Sequence, residues 1–339
     1  MRASLATLVV ALTAGTAACS EPVPTVSAPP VVNAPPVVQA VQVERILEDL
    51  SAELTEANRE VSAEPLLRRV GGGALAMLQA QYAAKAANPD EAIYELGTSF
   101  GDSQIVARSR DWPRSFAVST EPDPKAQDAQ FIYLLEQTDA RAPYQMVLWA
   151  RMLKTPPKTS PAVVGSLVVS PEDPDLAMTP VEAVEAYALA KDDPSGAAAE
   201  LFDTKPSDGI DPDPARQRWS ALVAGFDSPE LKGLEGTDLS HSTELIGGSV
   251  SAVATADSGA LVFGQVKSTL DFSFAGSEGQ LMNLGAKGYL GLGAASLQPT
   301  KSVHIEHLES VVLAVPPKAG DGIVKVIAVA DLPTAVTVE

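Results

Sequence analysis

A hydrolase builds its nucleophile from serine, histidine and a carboxylate, and this 339-residue chain places those residue types in two short blocks. Phe100-Gly101-Asp102-Ser103 offers a nucleophile, and Asp238-Leu239-Ser240-His241 offers a base with a carboxylate to orient it. A second group, His304-Ile305-Glu306-His307, contains three metal-ligand types. Side chains alternate along a strand, so His304 and Glu306 share one face and His307 points to the other. A tetrahedral site needs convergence, and none is expected here. Asp203, Asp208, Asp211 and Asp213 could attract calcium, but they lack the spacing and terminal glutamate of an EF-hand loop. Pro206, Pro212 and Pro214 make that stretch a turn-rich connection. Trp112, Trp149 and Trp219 could stack sugars, yet with aromatics at 5% of the chain they are expected in the core. Gly71-Gly72-Gly73 lacks the Lys-Ser/Thr of a phosphate loop. No cofactor or metal is expected.

The Gly-Asp-Ser block is similar to the serine block of GDS-type esterases. Those enzymes place it directly after a buried parallel strand, whereas Ile93–Ser99 reads as loop. Their Gly-x-Asn-Asp block is also missing, and Ser103 and His241 fall in different halves of the chain. The expectation is no enzyme, with a Ser103/His241 esterase as the outlying alternative.

Cys19 carries a stronger signal. Met1-Arg2 is followed by the apolar run Ala3–Leu12, by Thr13–Ala18, and then by Cys19. One positive charge, a short apolar region and small residues have the order of a secretory signal. The apolar run is shorter than the ~20 residues a membrane-spanning helix needs. Cys19 is the sole cysteine, so no intramolecular disulfide can consume it. Thr16-Ala17-Ala18-Cys19 resembles the lipobox of bacterial lipoproteins, in which the thiol is acylated and becomes the new N-terminus. The expected organisation is a signal peptide over 1–18, then a lipidated Cys19 with a tether over 19–40. Pro22, Pro24, Pro29, Pro30, Pro35 and Pro36 hold that tether extended, and Ala-Pro-Pro-Val-Val occurs in it twice. The implied location is the outer, extracytoplasmic face of a cell membrane.

The formal net charge is −19. Such a chain repels phosphate backbones, so no nucleic-acid partner is expected. It also repels anionic headgroups, so no electrostatic docking on a membrane is expected and the lipid must hold it there.

The elements that must position these residues follow from periodicity. Val43, Ile46, Leu47, Leu50 and Leu54 define one helix, and Glu64–Ala87 a second, broken near the three glycines. Strands are expected over Gln104–Ser109, Ser115–Thr120, Gln130–Gln137 and Tyr144–Leu153. In Thr179-Pro180-Val181-Glu182 the threonine caps a helix, proline takes its first position and glutamate closes a capping box. A further helix begins at Asp213-Pro214, and strands dominate from Leu239. The expected fold is α+β in two tandem domains, 41–170 and 179–339, joined by a linker over 171–178. Each domain is expected to pack N-terminal helices on an antiparallel sheet.

Asp111–Phe116, Tyr144–Leu153, Ser310–Pro317 and Ile323–Leu332 together resemble an uncharacterised lipoprotein family of actinobacteria. The resemblance implies export and lipid anchoring, with no catalytic residue to carry over. The expected function is a lipid-anchored, non-catalytic binding or assembly module of the cell envelope, partnered by the membrane and by other envelope proteins. The alternative is a small-ligand-binding lipoprotein with a pocket between helices and sheet.

Overall fold

A computed structural model describes residues 34–122, 129–203, 213–232, 236–275, 284–319 and 322–339. The expected signal peptide, Cys19 and most of the expected tether lie outside the described residues, as do Asp208 and Asp211. Residues 34–339 form one compact α+β unit.

Helix α1 (Ala40–Glu60) buries Val43, Ile46, Leu47, Leu50, Leu54 and Ala57, the stripe that its spacing predicts. The chain docks before the helix begins. Val37 N–H donates to Ala107 O at 2.9 Å, and Val37 and Val38 are buried. The end of the expected tether therefore belongs to the fold, because two apolar residues after Pro36 find a core to enter. Helix α2 (Gly72–Ala87) starts at the glycine run, where Gly72 has φ +54°. The left-handed backbone there ends the preceding turn, so the expected second helix is divided.

Strands β1 (Phe100–Arg108), β2 (Arg114–Thr120), β3 (Phe131–Gln137) and β4 (Gln145–Met152) form an antiparallel meander. The short β5 (Ser166–Leu167) lies parallel to β1, which makes the sheet mixed. Helix α3 (Pro180–Asp192) is capped by Thr179 as expected. Glu182 N–H donates to Thr179 Oγ1 at 3.2 Å, and Thr179 N–H donates to Glu182 Oε2 at 2.8 Å. Helices α4 (Pro214–Phe226) and α5 (Pro229–Lys232) follow. Then come β6 (Asp238–Leu245), β7 (Ser251–Ala254), β8 (Ala260–Ser273), β9 (Ser302–Val315) and β10 (Lys325–Val338).

The two halves do not form two sheets. The strand order is β5-β1-β2-β3-β4-β10-β9-β8-β6, with β7 also on β8. The last strand thus lies between the first-half meander and the second-half strands, and 171–178 is a connection inside one unit. The sheet also bends back on itself. Val168, just past β5, bridges Val253 of β7, and Val169 N–H donates to Ala252 O at 2.9 Å. The result is a nearly closed ring of strands.

Register places Ile105, Ala117, Leu134 and Leu148 on one face, continued by Ala328, Val312 and Phe263. All seven belong to one buried cluster, which fills the ring. The opposite face of β8–β10 carries Val262, Val311, Leu313 and Val326 against α3. Helix α2 packs against β4, β9 and β10. No helix among the described residues is long and apolar enough to cross a membrane.

The seat of α3 depends on a missing side chain. A Cβ at Gly264 of β8 would lie 2.6 Å from Val184 Cγ2. Gly264→Ala is expected to lower unfolding stability by about 1–3 kcal/mol through overpacking, and Thr179→Ala by about 1 kcal/mol through loss of the cap. Urea denaturation measures both.

Candidate functional site

The structure separates the expected serine and histidine. Ser103 lies on β1 and His241 on β6. By the shorter way round the ring, β5 and β7 follow β1, and β6 joins the same edge of β8 as β7 but farther along, with His241 opposite Leu270 and Val253 opposite Leu261. Asp238 and His241 are an odd number of positions apart on one strand and so face opposite sides. The carboxylate nearest His241 belongs instead to Asp192, with Oδ1 3.7 Å from Nδ1. Asp192 is itself held by Thr243, whose backbone N–H donates at 2.6 Å and whose hydroxyl donates at 2.7 Å.

His304 and Glu306 share a face as expected, with His304 Nε2 3.5 Å from Glu306 Oε1 and Nδ1 2.7 Å from Asp271 Oδ1. His307 points into the protein. Among the described residues no group of three metal-ligating side chains converges, and Asp203 pairs with Lys154 at 3.1 Å. Trp149 and Trp219 are fully buried. Trp112 is 36% exposed, with the Arg114 guanidinium 4.2 Å from its ring centroid.

The densest polar chemistry lies beneath α3 and α4, where Asp213, Trp219 and His307 meet Lys191, Glu309 and Asp331, which the sequence did not mark. Lys191 of α3 is buried with Glu309 of β9 and Asp331 of β10. Its Nζ contacts Glu309 Oε2 and lies 3.5 Å from Asp331 Oδ1. His307 Nδ1 is 3.1 Å from the same Asp331 oxygen. The Lys191 ammonium lies 5.1 Å from the centroid of Trp219, whose ring meets His307 edge-on. Tyr187, one turn before Lys191, directs its hydroxyl to Glu309 Oε1 and to Asp213 Oδ1, the latter at 3.2 Å. Asp213 also caps α4 by accepting from Arg216 N–H at 3.0 Å.

One phenolic proton faces two carboxyl oxygens, so both contacts are satisfied when one carboxyl carries a proton of its own. The electrostatics agree. Burial, opposed by Lys191, pushes Glu309 up to about 7, and burial also raises Asp213. Burial acts to raise Asp331 too, but Lys191 and His307 outweigh it and hold that carboxyl below its usual range. Burial likewise acts to lower Lys191, but Asp331 and Glu309 keep it above the ordinary lysine value. The cluster is a buried ion pair beside carboxyl groups that burial pushes toward their neutral form. Its legible trace in the sequence is an acid set beside an apolar run in each of two strands, Glu309 before Val311–Val315 and Asp331 after Val326–Ala330.

A different place is open to solvent. At one end of the ring, Ile105, Ser119, Gln130 and Met152 line a cavity of about 560 Å³ with the loop Thr155–Ala162 across it. A second cavity of about 440 Å³ shares Thr155 and Pro157 and adds Asp257, Ala314, Lys325 and Ile327. These volumes suit a small molecule or a short segment of a partner, and the mouths of β-barrels are favoured ligand sites. Both cavities are lined by strands and loops alone, and neither lies at the expected place between helices and sheet. Sequence alone could not assemble them, since their lining spans residues 104 to 327. Comparison with known protein families, curated proteins and solved structures finds no match to this chain.

Glu309 gives the cluster a sign in pH. Its folded-state value lies above that of an unfolded glutamate, so its contribution is fully present near pH 4.5 and is lost as the pH rises through about 7. At most about 3 kcal/mol of unfolding stability should disappear across that window, and Glu309→Gln should flatten the slope in urea titrations at pH 5 and pH 8. Asp331, whose value is lowered, contributes in the opposite sense and matters only in acid. Lys191→Met strands two buried carboxylates and should cost about 3–5 kcal/mol at neutral pH in the same assay.

Proposed function

We propose that this chain is a lipid-anchored, extracytoplasmic binding module without catalytic activity, held by an acylated Cys19 and presenting the mouth of its strand ring to a ligand or envelope partner. The observation that carries the binding role is the pair of adjoining cavities beneath Thr155–Ala162. Their lining mixes amide and hydroxyl groups (Gln104, Ser119, Gln130, Thr159) with Ile105, Met152 and Ile327, a composition suited to recognition. The polar cluster around Lys191 is buried on every member, which supports a structural role there and leaves the mouth as the accessible site. The small residues before the sole cysteine, and the prolines after it, support anchoring at the membrane.

Intact-mass analysis of the protein from bacterial membranes tests the anchor. The expected product begins at Cys19 and carries diacylglycerol, and Cys19→Ala should leave the protein unacylated and lower its share in the membrane fraction. An unmodified thiol in membrane-extracted protein would refute the anchor. A photocrosslinking residue in place of Thr159 tests the mouth. It should give a discrete adduct in membranes, whereas the same residue in place of Leu189, exposed on α3, should not.

A further inference from the structure

Four large apolar side chains are exposed within six consecutive positions around β5. Val163 is 84% exposed, Val164 50%, Leu167 54% and Val168 49%. The other exposed large apolar residues among those described, such as Val41, Leu67 and Leu189, are scattered singly along the chain. Isolated exposures are ordinary, while a contiguous group marks a contact surface.

Two observations say what covers this one. The first is where the chain enters the fold. Val163 and Ala162 line a hollow of about 330 Å³ together with Pro35, Pro36 and Val38. Pro36 bridges Arg108, and Arg108 is also the register partner of Leu167. The apolar group therefore surrounds the point from which the chain leads back to Cys19. Ala34 follows Cys19 by fifteen positions, a reach of at most about 50 Å fully extended. The second observation is charge. From residue 140 to 171 the chain has no Asp or Glu but has Arg141, Arg151, Lys154 and Lys158. Lys154 is held by Asp203, but Lys158 precedes the apolar run, and Arg108 and Arg110 follow at the end of β1. In a chain of net charge −19 the stretch 140–171 is a local reversal of sign, bounded by Asp111 beside Arg110 and by Glu172, Asp173 and Asp175 past Val168.

We propose that Val163, Val164, Leu167 and Val168 insert into the outer surface of the bilayer that anchors Cys19, with Arg108, Arg110 and Lys158 against anionic headgroups. The proposal rests on the lipid-anchor reading for the presence of that bilayer. Apolar side chains flanked by cations favour an anionic interface. Four short side chains with flanking cations bind weakly by themselves, and the tether strengthens that contact by making insertion intramolecular. The protein then lies down on its membrane at the β5 edge.

Removal of the native cysteine frees the chain for site-specific labelling and separates the two readings. Full-length Cys19→Ser/Val163→Cys carrying an environment-sensitive dye should brighten and shift to the blue on mixing with phosphatidylcholine–phosphatidylglycerol vesicles. The shift should be smaller with phosphatidylcholine alone, and absent for the dye at Leu189→Cys. Vesicle co-sedimentation of Cys19→Ser should weaken roughly ten-fold or more with Val163→Asp/Leu167→Asp. Exposed positions should leave the thermal melt of that variant unchanged. These outcomes do not require acylation, which the intact-mass measurement decides by itself. Equal co-sedimentation of the aspartate variant would overturn the insertion, as would a dye response without lipid that grows with protein concentration, which would assign the surface to a second copy. A dye at position 163 that stays unresponsive in acylated, vesicle-bound protein would also overturn it, while leaving the anchor intact.

Discussion

Everything in this fold depends on where its last strand goes. β10 pairs along most of its length with β9, and through Ala328 and Val329 with Met152 and Arg151 of β4. The backbone N–H groups of Leu153 and Lys154 both donate to Ile327 O, at 2.8 and 3.1 Å, and extend this narrow seam. Without β10 the meander and the second-half strands would be joined in the sheet by little more than the short seam of Val168 and Val169 with β7. Their shared core, in which Val312, Ile327 and Ala328 meet Leu148 and Ala150, would have no closed boundary. A contact between residues about 175 positions apart carries a large loop-closure cost, and burial of the shared apolar face must offset it.

The same strand brings Asp331 under α3. Ion pairs buried this deeply do not stabilise strongly in net terms, because desolvation opposes the Coulomb attraction. Here the cluster links α3, α4, β9 and β10 through side chains that accept few alternative partners. Lys191 must face Glu309 and Asp331 together, which fixes the rotation of α3 about its axis. Gly264 then fixes its distance from the sheet. Polar geometry and close packing thus determine one docking of one helix.

The open end of the ring and the β5 edge have the opposite character. Both are built from the segment that crosses from β4 to β5, and both leave surface without a protein partner. The prolines and glycine of Thr155–Gly165 shape that crossing, and its basic residues sit on an otherwise acidic chain. The proposed recognition and the proposed membrane contact both fall in a stretch that contributes little to the ladder itself.

Local pattern determined much of this protein. The stripe of α1, the cap at Thr179, the start of α4 at Asp213 and the four strands of the meander all follow from spacings of a few residues, where side-chain periodicity and capping chemistry decide the outcome. The segregation of His304 from His307 follows likewise from strand alternation. Only the tertiary structure decided that two apparent domains share one sheet, that Val37 and Val38 leave the tether, and that β5 runs parallel to β1. It also decided that Lys191, Glu309 and Asp331 meet while Ser103 and His241 do not. Those outcomes depend on pairings between distant strands, and a strand's alternation states which face it buries without stating which edge it joins.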